Sequence, residues 1–300
     1  MAESLDILVL GGGPDREREV SVRSAAAVAN ALRSKGHQVT ESDISPQDTS
    51  ALDKSYDVVF PVLHGSFGEG GPLQDILEAR GIPYVGSGPQ AARKAMNKVL
   101  AKQEVKQQGV VTPAFEIVTP DHPVDLRPPV VIKPINEGSS VDTFICMNES
   151  NLAACRSDIG NRYERLLVEQ FVEGTEVTVG ILGDRALPVI QIVPGDGFYD
   201  YESKYNRDDT EYLFDIDLPL SVLESLQTSA LRAHQTLGCR HLSRVDFIVD
   251  KDHQPWFLEV NTMPGFTDHS LLPKAAHQAG IPMAELCHRL VAAAVGAMVC

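Results

Sequence analysis

The stretch WFLEVNTMPGFTDHS, from Trp256 to Ser270, ends an apolar run in a carboxylate and an amide, Glu259 and Asn261, just before a break at Pro264 and Gly265. Upstream, SRVDFIVD and PWFLEVN flank the four residues KDHQ, a common hairpin length. Pairing Asp250 with Pro255 sets Ile248 against Phe257, Asp246 against Glu259 and Arg244 against Asn261. Side chains alternate between the two faces of a strand. One face then carries Val245, Phe247, Val249, Trp256, Leu258 and Val260 as core, and the other gathers Arg244, Asp246, Glu259 and Asn261 at one end. Directly opposed Cβ atoms stand about 4.5–5.5 Å apart, where like charges repel. A cation is therefore expected between Asp246 and Glu259. Three oxygen donors, two of them anionic, suit Mg²⁺, which keeps waters and bridges to substrate phosphates. The bland alternative is a solvated outer face, and the neighbouring Arg244 and the break after Asn261 weigh against it.

Other stretches hold weaker signals. VVIKPINEGSSVDTF places Lys133 at the end of an apolar strand, before a loop with Gly138, Ser139 and Ser140. Backbone amides and hydroxyls in such a loop can cradle phosphates, with lysine as a point charge. No GxxxxGK[ST] motif is present, and an exposed Lys-Pro is the plain reading of that strand end. GGGPDREREVS fails the dinucleotide fingerprint because Arg16 stands where the third glycine belongs. Its glycine run still turns into a helix N-terminus, a ready anion site, unless REREV is only a solvated first turn. LHGSFGEGG puts His64 after a buried strand, where α/β proteins bind ligands, although a lone histidine is more often structural.

These groups must be positioned by regular elements. LDILVLGGG reads as a buried strand, and a helix over about Val20–Lys35 follows, with Val22, Ala25, Ala26, Ala29 and Leu32 on one face. Then come the strand HQVTESDI, the strand YDVVFPVLHG, the helix PLQDILEARG and the short strand IPYVGSG. This alternation implies a parallel sheet covered by helices. A helix over 89–109 ends at Gly109, and PPVVIKP, VDTFICM and RLLVEQFV are strands of a mixed unit, with a helix from about Ser150. GD at 183–184 marks a hairpin. Residues 195–217 form a long polar, tyrosine-rich segment, and a loop of that length is usually a lid or other functional element. A helix over about 221–237 leads into the opening hairpin.

The chain has 300 residues and a formal net charge of −15, which argues against a nucleic-acid partner. No apolar run approaches the ~18 residues of a membrane span, and LVAAAVGAMV near the end reads as a packed helix. The five cysteines include no CxxC pair. That fits reduced thiols, no zinc site and, with an N-terminus lacking a basic leader, a cytoplasmic location.

Taken together, EREVS at 17–21, LHGSFGEGGPLQ at 63–74, AMNK at 95–98, VVIKPINEGSSV at 131–141, VEQFVEGTEVTV at 168–179, FYDYESKY at 198–205, RVD at 244–246 and LEVNTMPGFTDHSL at 258–271 resemble the D-alanine–D-alanine ligases of the ATP-grasp superfamily. The matches run in family order along nearly the whole chain. The resemblance implies an α/β ATP-grasp fold: a parallel-sheet substrate domain at 1–90, a central α+β ATP-grasp domain at 91–178, and a C-terminal α+β catalytic domain at 179–300 with 195–217 as its lid. It implies ADP-forming ligation of two D-alanines for peptidoglycan synthesis in the cytoplasm, by a homodimer using ATP and two Mg²⁺ ions that Mn²⁺ can replace. By motif position Asp246, Glu259 and Asn261 would hold the metals. Lys98 and Lys133 would meet the ATP phosphates beside the Ser140 loop. Glu169 with the Phe171 and Val172 backbone would hold adenine, and Glu176 the ribose. Glu19 would grip the first D-alanine's ammonium and join Ser139 and Tyr205 in a network that locks the lid. His64, Lys204 and Ser270 would lie around the substrates, and Arg244 and Gly265 would form an oxyanion hole. Tyr205 would favour D-alanine over D-lactate as second substrate. Three positions depart from the family pattern. Asp142 replaces a glycine, where its carboxylate is expected to repel phosphates, Asn97 replaces an aspartate, and GGGPDRE is longer than usual.

Overall fold

The computed structural model describes residues 4–119, 123–195 and 210–296. The first sheet is parallel, as the alternating pattern requires: β1 (Asp6–Gly11) lies between β2 (Gln38–Asp43) and β3 (Val58–Pro61). The expected strand at IPYVGSG contributes only a bridge from Tyr84 to Val59. Helix α1 (Arg18–Ser34) starts two residues before the expected point. The buried stripe accordingly runs through Val20, Ser24, Ala25, Val28, Ala29 and Leu32, leaving Val22 49% exposed. Helices α2 (Gly65–Gly68) and α3 (Pro72–Ala79) complete this unit.

The single helix expected over 89–109 is two, α4 (Pro89–Met96) and α5 (Lys98–Gln107). Asn97 leaves the helical region at φ −82° and ψ 97°, and its side chain accepts a bond from the Leu100 amide at 3.0 Å. Asparagine and aspartate serve equally well as N-caps, so the departure at Asn97 keeps the local structure.

The second sheet is antiparallel, in the order β4 (Phe115–Val118), β7 (Leu166–Gln170), β5 (Val130–Pro134), β6 (Phe144–Cys146). Helix α6 (Glu149–Ile159) packs on β5 and β6. The third sheet runs β10 (Glu211–Leu213), β9 (Arg185–Val193), β8 (Gly174–Leu182), β11 (Leu242–Asp250), β12 (Pro255–Asn261). Within the stretch read as one loop over 195–217, residues 211–213 thus form an edge strand on β9. Helix α7 (Leu220–Thr236) shares one core with this sheet, α4 and α5. A second core joins β9, α8 (Leu271–Gln278) and α9 (Met283–Ala294) to α1 and the first sheet.

The hairpin β11–β12 sets Asp246 against Glu259 and Arg244 against Asn261, as expected. Farther from the site the register differs. Phe247 opposes Phe257 and Ile248 opposes Trp256, with an irregularity after Asp246 that leaves Leu258 as the extra residue. A bulge of this kind turns one strand's side chains to the other face. Phe257 therefore enters the core with Val245, Phe247 and Val249, while Trp256 and Leu258, expected inside, do not. Phe247 and Phe257 meet edge to face with centroids 6.0 Å apart. Phe247→Ala should cost about 3–5 kcal/mol, the usual range for deleting a buried aromatic ring, read as a lower urea midpoint. Val22→Ala on the exposed α1 surface should cost about 0.5 kcal/mol or less.

Candidate functional site

Two clefts meet at the carboxylate end of the β11–β12 hairpin. One is lined by Lys133, Ser140, Glu169, Phe171, Val172, Glu176 and Asp246. The other is lined by Glu17, Glu69, Ser139, Arg244, Asn261, Gly265 and Ser270. Lys98, Glu137 and Glu259 face both. Lys98, the first residue of α5, puts its ammonium 3.1 Å from Glu259 Oε2 and 2.5 Å from the Glu137 carbonyl. The Asn97 break in the helix gives Lys98 this position, because it sets the direction in which α5 begins.

Across the hairpin, Arg244 donates from Nε to Asp246 Oδ1 at 2.9 Å and from Nη2 to Oδ2 at 2.7 Å. Thr178 on neighbouring β8 donates to Oδ1 at 2.6 Å. The Met263 amide donates to Asn261 Oδ1 at 2.9 Å, holding that oxygen at the turn after β12. A carboxylate oxygen offers about two lone pairs, so Asp246 Oδ2 can accept more than its bond from Arg244. Among the described residues no three His, Cys, Asp or Glu side chains gather into a metal cage. Two carboxylates and an amide oxygen nonetheless fit Mg²⁺, which takes few protein ligands and fills its sphere from water and phosphate.

Glu169 on β7 is buried and held by two lysines. Lys133 on β5 pairs with Oε1, and Lys102 on α5 stands 2.8 Å from Oε2. Burial alone would raise the Glu169 carboxyl, but the two ammonium groups outweigh it and bring it down to about 2. Oε2 is buried and turned toward Lys102 behind the cleft, whereas Oε1 meets Lys133, which lines the cleft. Lys102 was not apparent from the sequence, because a lysine in the middle of a polar helix reads as solvated.

The first D-alanine's expected partner, Glu19, is exposed in the first turn of α1 and lines neither cleft. Glu17 does so instead, accepting a bond from Ser139 Oγ at 2.5 Å. Two residues in a helix differ by about 200° around its axis, so only one of the two glutamates in EREVS can face the loop. Helical phase in that motif was the available signal. Ser270 caps the approach to α8, its Oγ accepting from the Thr267 amide at 2.9 Å. A Cβ on Gly265 would sit 2.7 Å from that oxygen, so any larger residue there would displace the Ser270 hydroxyl. Lys204 and Tyr205 lie outside the described residues.

His64 is buried behind the cleft, with Nε2 unpartnered among the described residues and Nδ1 3.8 Å from Glu69. Burial lowers the imidazole and, helped by the charge of Glu17, pushes the Glu69 carboxyl up to about 8. Neither group is charged at neutral pH in the open cleft, so their approach is not an ion pair.

Asp142 does not face the phosphate side. It accepts from Arg162 Nη1 and from the Tyr163 hydroxyl, both at 2.6 Å, and the carboxyl stays below the usual carboxylate range because these bonds outweigh its partial burial. The expected repulsion of phosphates is therefore absent. Ser139, Ser140 and Asp142 all have left-handed backbones, with φ of 51°, 57° and 52°. Such strain persists only where neighbours over-determine it, and the Asp142 bonds supply that restraint in place of the family's glycine. Tyr163→Phe should raise KM for ATP several-fold with little change in kcat, since it loosens the loop without touching substrate. An unchanged KM in steady-state assays would show that the loop holds itself.

The Glu69 value also fixes a sign. A carboxyl raised from 4.5 to about 8 adds stability that is present below its unfolded pKa and lost as pH rises through the folded one. Glu69→Gln should therefore gain melting temperature relative to the native chain between about pH 5 and 8.5. Calorimetry at both ends of that window checks it, and a constant difference would contradict the assignment.

The family described as D-ala D-ala ligase C-terminus matches residues 105–292, and D-ala D-ala ligase N-terminus matches 40–87. The D-alanine–D-alanine ligase of Bordetella avium is 45% identical, over 95% of this chain and 93% of its own length. That of Syntrophotalea carbinolica is 43% identical, over 96% and 95%. The crystal structure of the Bacillus anthracis ligase complexed with ATP aligns with a TM-score of 0.84 at 27% identity, over 98% of each chain. The Coxiella burnetii ligase aligns at 0.83 and 26% identity, over 98% of this chain and 95% of that one. With both halves of the family pattern matched in order and the clefts meeting where its motifs converge, this chain belongs to the D-alanine–D-alanine ligase family.

Proposed function

We propose that this chain joins two D-alanines into D-alanyl-D-alanine at the expense of ATP, releasing ADP and phosphate, as a peptidoglycan precursor step. The observation that carries this reading is the meeting of two clefts at Lys98 and Glu259. One has the apolar walls, buried carboxylate and Glu176 that suit a nucleoside. The other has the carboxylate, guanidinium and hydroxyl that suit an amino acid. Phosphoryl transfer between the two ligands belongs at such a seam.

In this reading Glu169 and the Phe171–Val172 backbone take adenine, Glu176 takes the ribose, and Lys98, Lys133 and the Ser140 loop take the phosphates. Glu17 assumes the role first given to Glu19, holding the ammonium of the first D-alanine with Ser139 beside it. The D-alanine carboxylate oxygen attacks the γ-phosphorus, the bond to the β-phosphate oxygen breaks, and an acyl phosphate and ADP result. The amine of the second D-alanine, seated near Ser270, attacks the acyl carbon and loses a proton as phosphate departs. Arg244 and the Gly265 amide stabilise the oxyanion of the tetrahedral species, a role for fixed donors in a dry site. Asp246, Glu259 and Asn261 hold Mg²⁺, which neutralises phosphate charge when bound. For Lys204 and Tyr205, outside the described residues, the family resemblance implies roles beside the substrates. His64 supports the cleft from behind through Glu69. We further read the chain as three units at 1–90, 91–178 and 179–300, and the enzyme as a cytoplasmic homodimer. No described helix is long and apolar enough to cross a membrane.

The decisive test is ADP release as a function of added amino acid. Release should require D-alanine, and neither L-alanine nor D-lactate should replace it. Glu259→Gln should lower kcat on the order of 100-fold, as expected for losing a group that stabilises developing charge, with the melting temperature little changed. ADP release independent of D-alanine, or near-normal turnover in Glu259→Gln, would refute the reading.

A further inference from the structure

Lys102 is wholly buried, at 0% exposure, and faces neither cleft. It reaches Glu169 from behind. Its ammonium lies 2.8 Å from Glu169 Oε2, donates to Thr112 Oγ1 at 2.9 Å and to the Phe257 carbonyl at 3.2 Å, and sits 5.8 Å from the Phe257 ring centroid. Lysine is almost never fully buried unless paired. A simple tie between α5 and β12 would need only the Thr112 and Phe257 bonds, and those two groups already bond each other, Thr112 Oγ1 donating to the Phe257 carbonyl at 2.9 Å. The position of the charge is therefore set by Glu169.

Glu169 also pairs with Lys133, but Lys133 lines the nucleotide cleft and Lys102 does not. A cation in the cleft can turn from the carboxylate to an arriving phosphate. A cation sealed behind it cannot, and continues to anchor Glu169 after the nucleotide has bound. Burial brings the Lys102 ammonium down only to about 8, because Glu169 opposes the fall, so the pair stays ionised near neutral pH.

We propose that Lys102 is a positioning residue for nucleotide selection: it locks the Glu169 carboxylate toward the purine so that a 6-amino group, which donates, is accepted and a 6-oxo group, which does not, is refused. This rests on the reading above that Glu169 meets adenine. An ionised carboxylate accepts hydrogen bonds only, so a purine carbonyl opposite it leaves two acceptors facing each other, a buried mismatch that sites built on hydrogen bonds reject strongly.

The experiment is steady-state ligation of D-alanine with ATP and with inosine triphosphate, comparing the native enzyme, Lys102→Met, Glu169→Gln and the double variant. The quantity read is the ratio of kcat/KM for ATP to that for inosine triphosphate. Lys102→Met should lower the ratio about 10-fold or more, on the scale of one hydrogen bond to a charged group, while KM for D-alanine stays put. Glu169→Gln, whose amide can donate to a carbonyl, should lower it as well, and the double variant should fall no further than Glu169→Gln alone. If Lys102→Met kept the native ratio while Glu169→Gln lost it, Lys102 would be only a structural tie. A double variant well below Glu169→Gln would show that Lys102 acts apart from Glu169, against the proposal. A native ratio in Glu169→Gln would overturn the adenine reading itself, and this inference with it. Should Lys102→Met fail to fold, Thr112→Val removes one acceptor from the same ammonium. It should lower the ratio about 2- to 5-fold, because loss of one charge-assisted bond loosens the ammonium without removing it, and an unchanged ratio there would count against the proposal.

Discussion

Asp246 and Glu259 face each other across two paired strands, and much of the molecule follows from the need to keep that like-charge contact tolerable. Each carboxylate is given its own cation: Arg244 grips Asp246 with two bonds, and Lys98 approaches Glu259. Arg244 is two residues from Asp246 on the same strand face, so the hairpin supplies that pair locally. Lys98 comes from a helix far away in sequence, and its arrival requires the interruption at Asn97 and the packing of α4 and α5 beneath the third sheet. The bulge after Asp246 belongs to the same solution. It turns Phe257 into the core and frees Leu258 to join Ile248 in walling the nucleotide cleft just beyond the charges.

The architecture was legible wherever one residue type recurred at a fixed period. The parallel order of the first sheet, the GD hairpin and the pairing of Asp246 with Glu259 all follow from alternation and turn chemistry. What escaped were single-residue irregularities. A helix interrupted for one residue has the same composition as an unbroken one, so the stretch over 89–109 gave no sign of Asn97 as a cap. A bulge adds a residue without changing which residues are apolar, and the alternation rule then exchanges Phe257 for its neighbours Trp256 and Leu258. Glu17 and Glu19 were separable only by helical phase, and the expected helix start was two residues late.

Buried charge was the least visible feature. Lys102 sits among polar residues in KVLAKQEVKQ, and nothing in that string distinguishes it from Lys106. Its burial is fixed by Glu169, a strand residue 67 positions away in a different sheet. Asp142 is the opposite case. The sequence made it conspicuous as a carboxylate in a phosphate loop, and the fold made it harmless by supplying Arg162 and Tyr163 from the turn after α6. Motif matching locates a charge, but whether that charge acts on the ligand depends on which partner reaches it first.

A chain with a net charge of −15 needs help to receive a polyphosphate. The nucleotide cleft is lined by Lys98 and Lys133 against Glu137, Glu169, Glu176, Asp246 and Glu259, which leaves three formal negative charges. Such a lining cannot balance a triphosphate brought out of water, where unpaired charge is costly. The compensating charge must come from divalent cations entering with the nucleotide. On the proposed function, Asp246, Glu259 and Asn261 would hold those cations. The acidic end of the hairpin would then complement the metal-bound nucleotide rather than the nucleotide by itself, and the opposition of two carboxylates, unfavourable in isolation, would favour the loaded form.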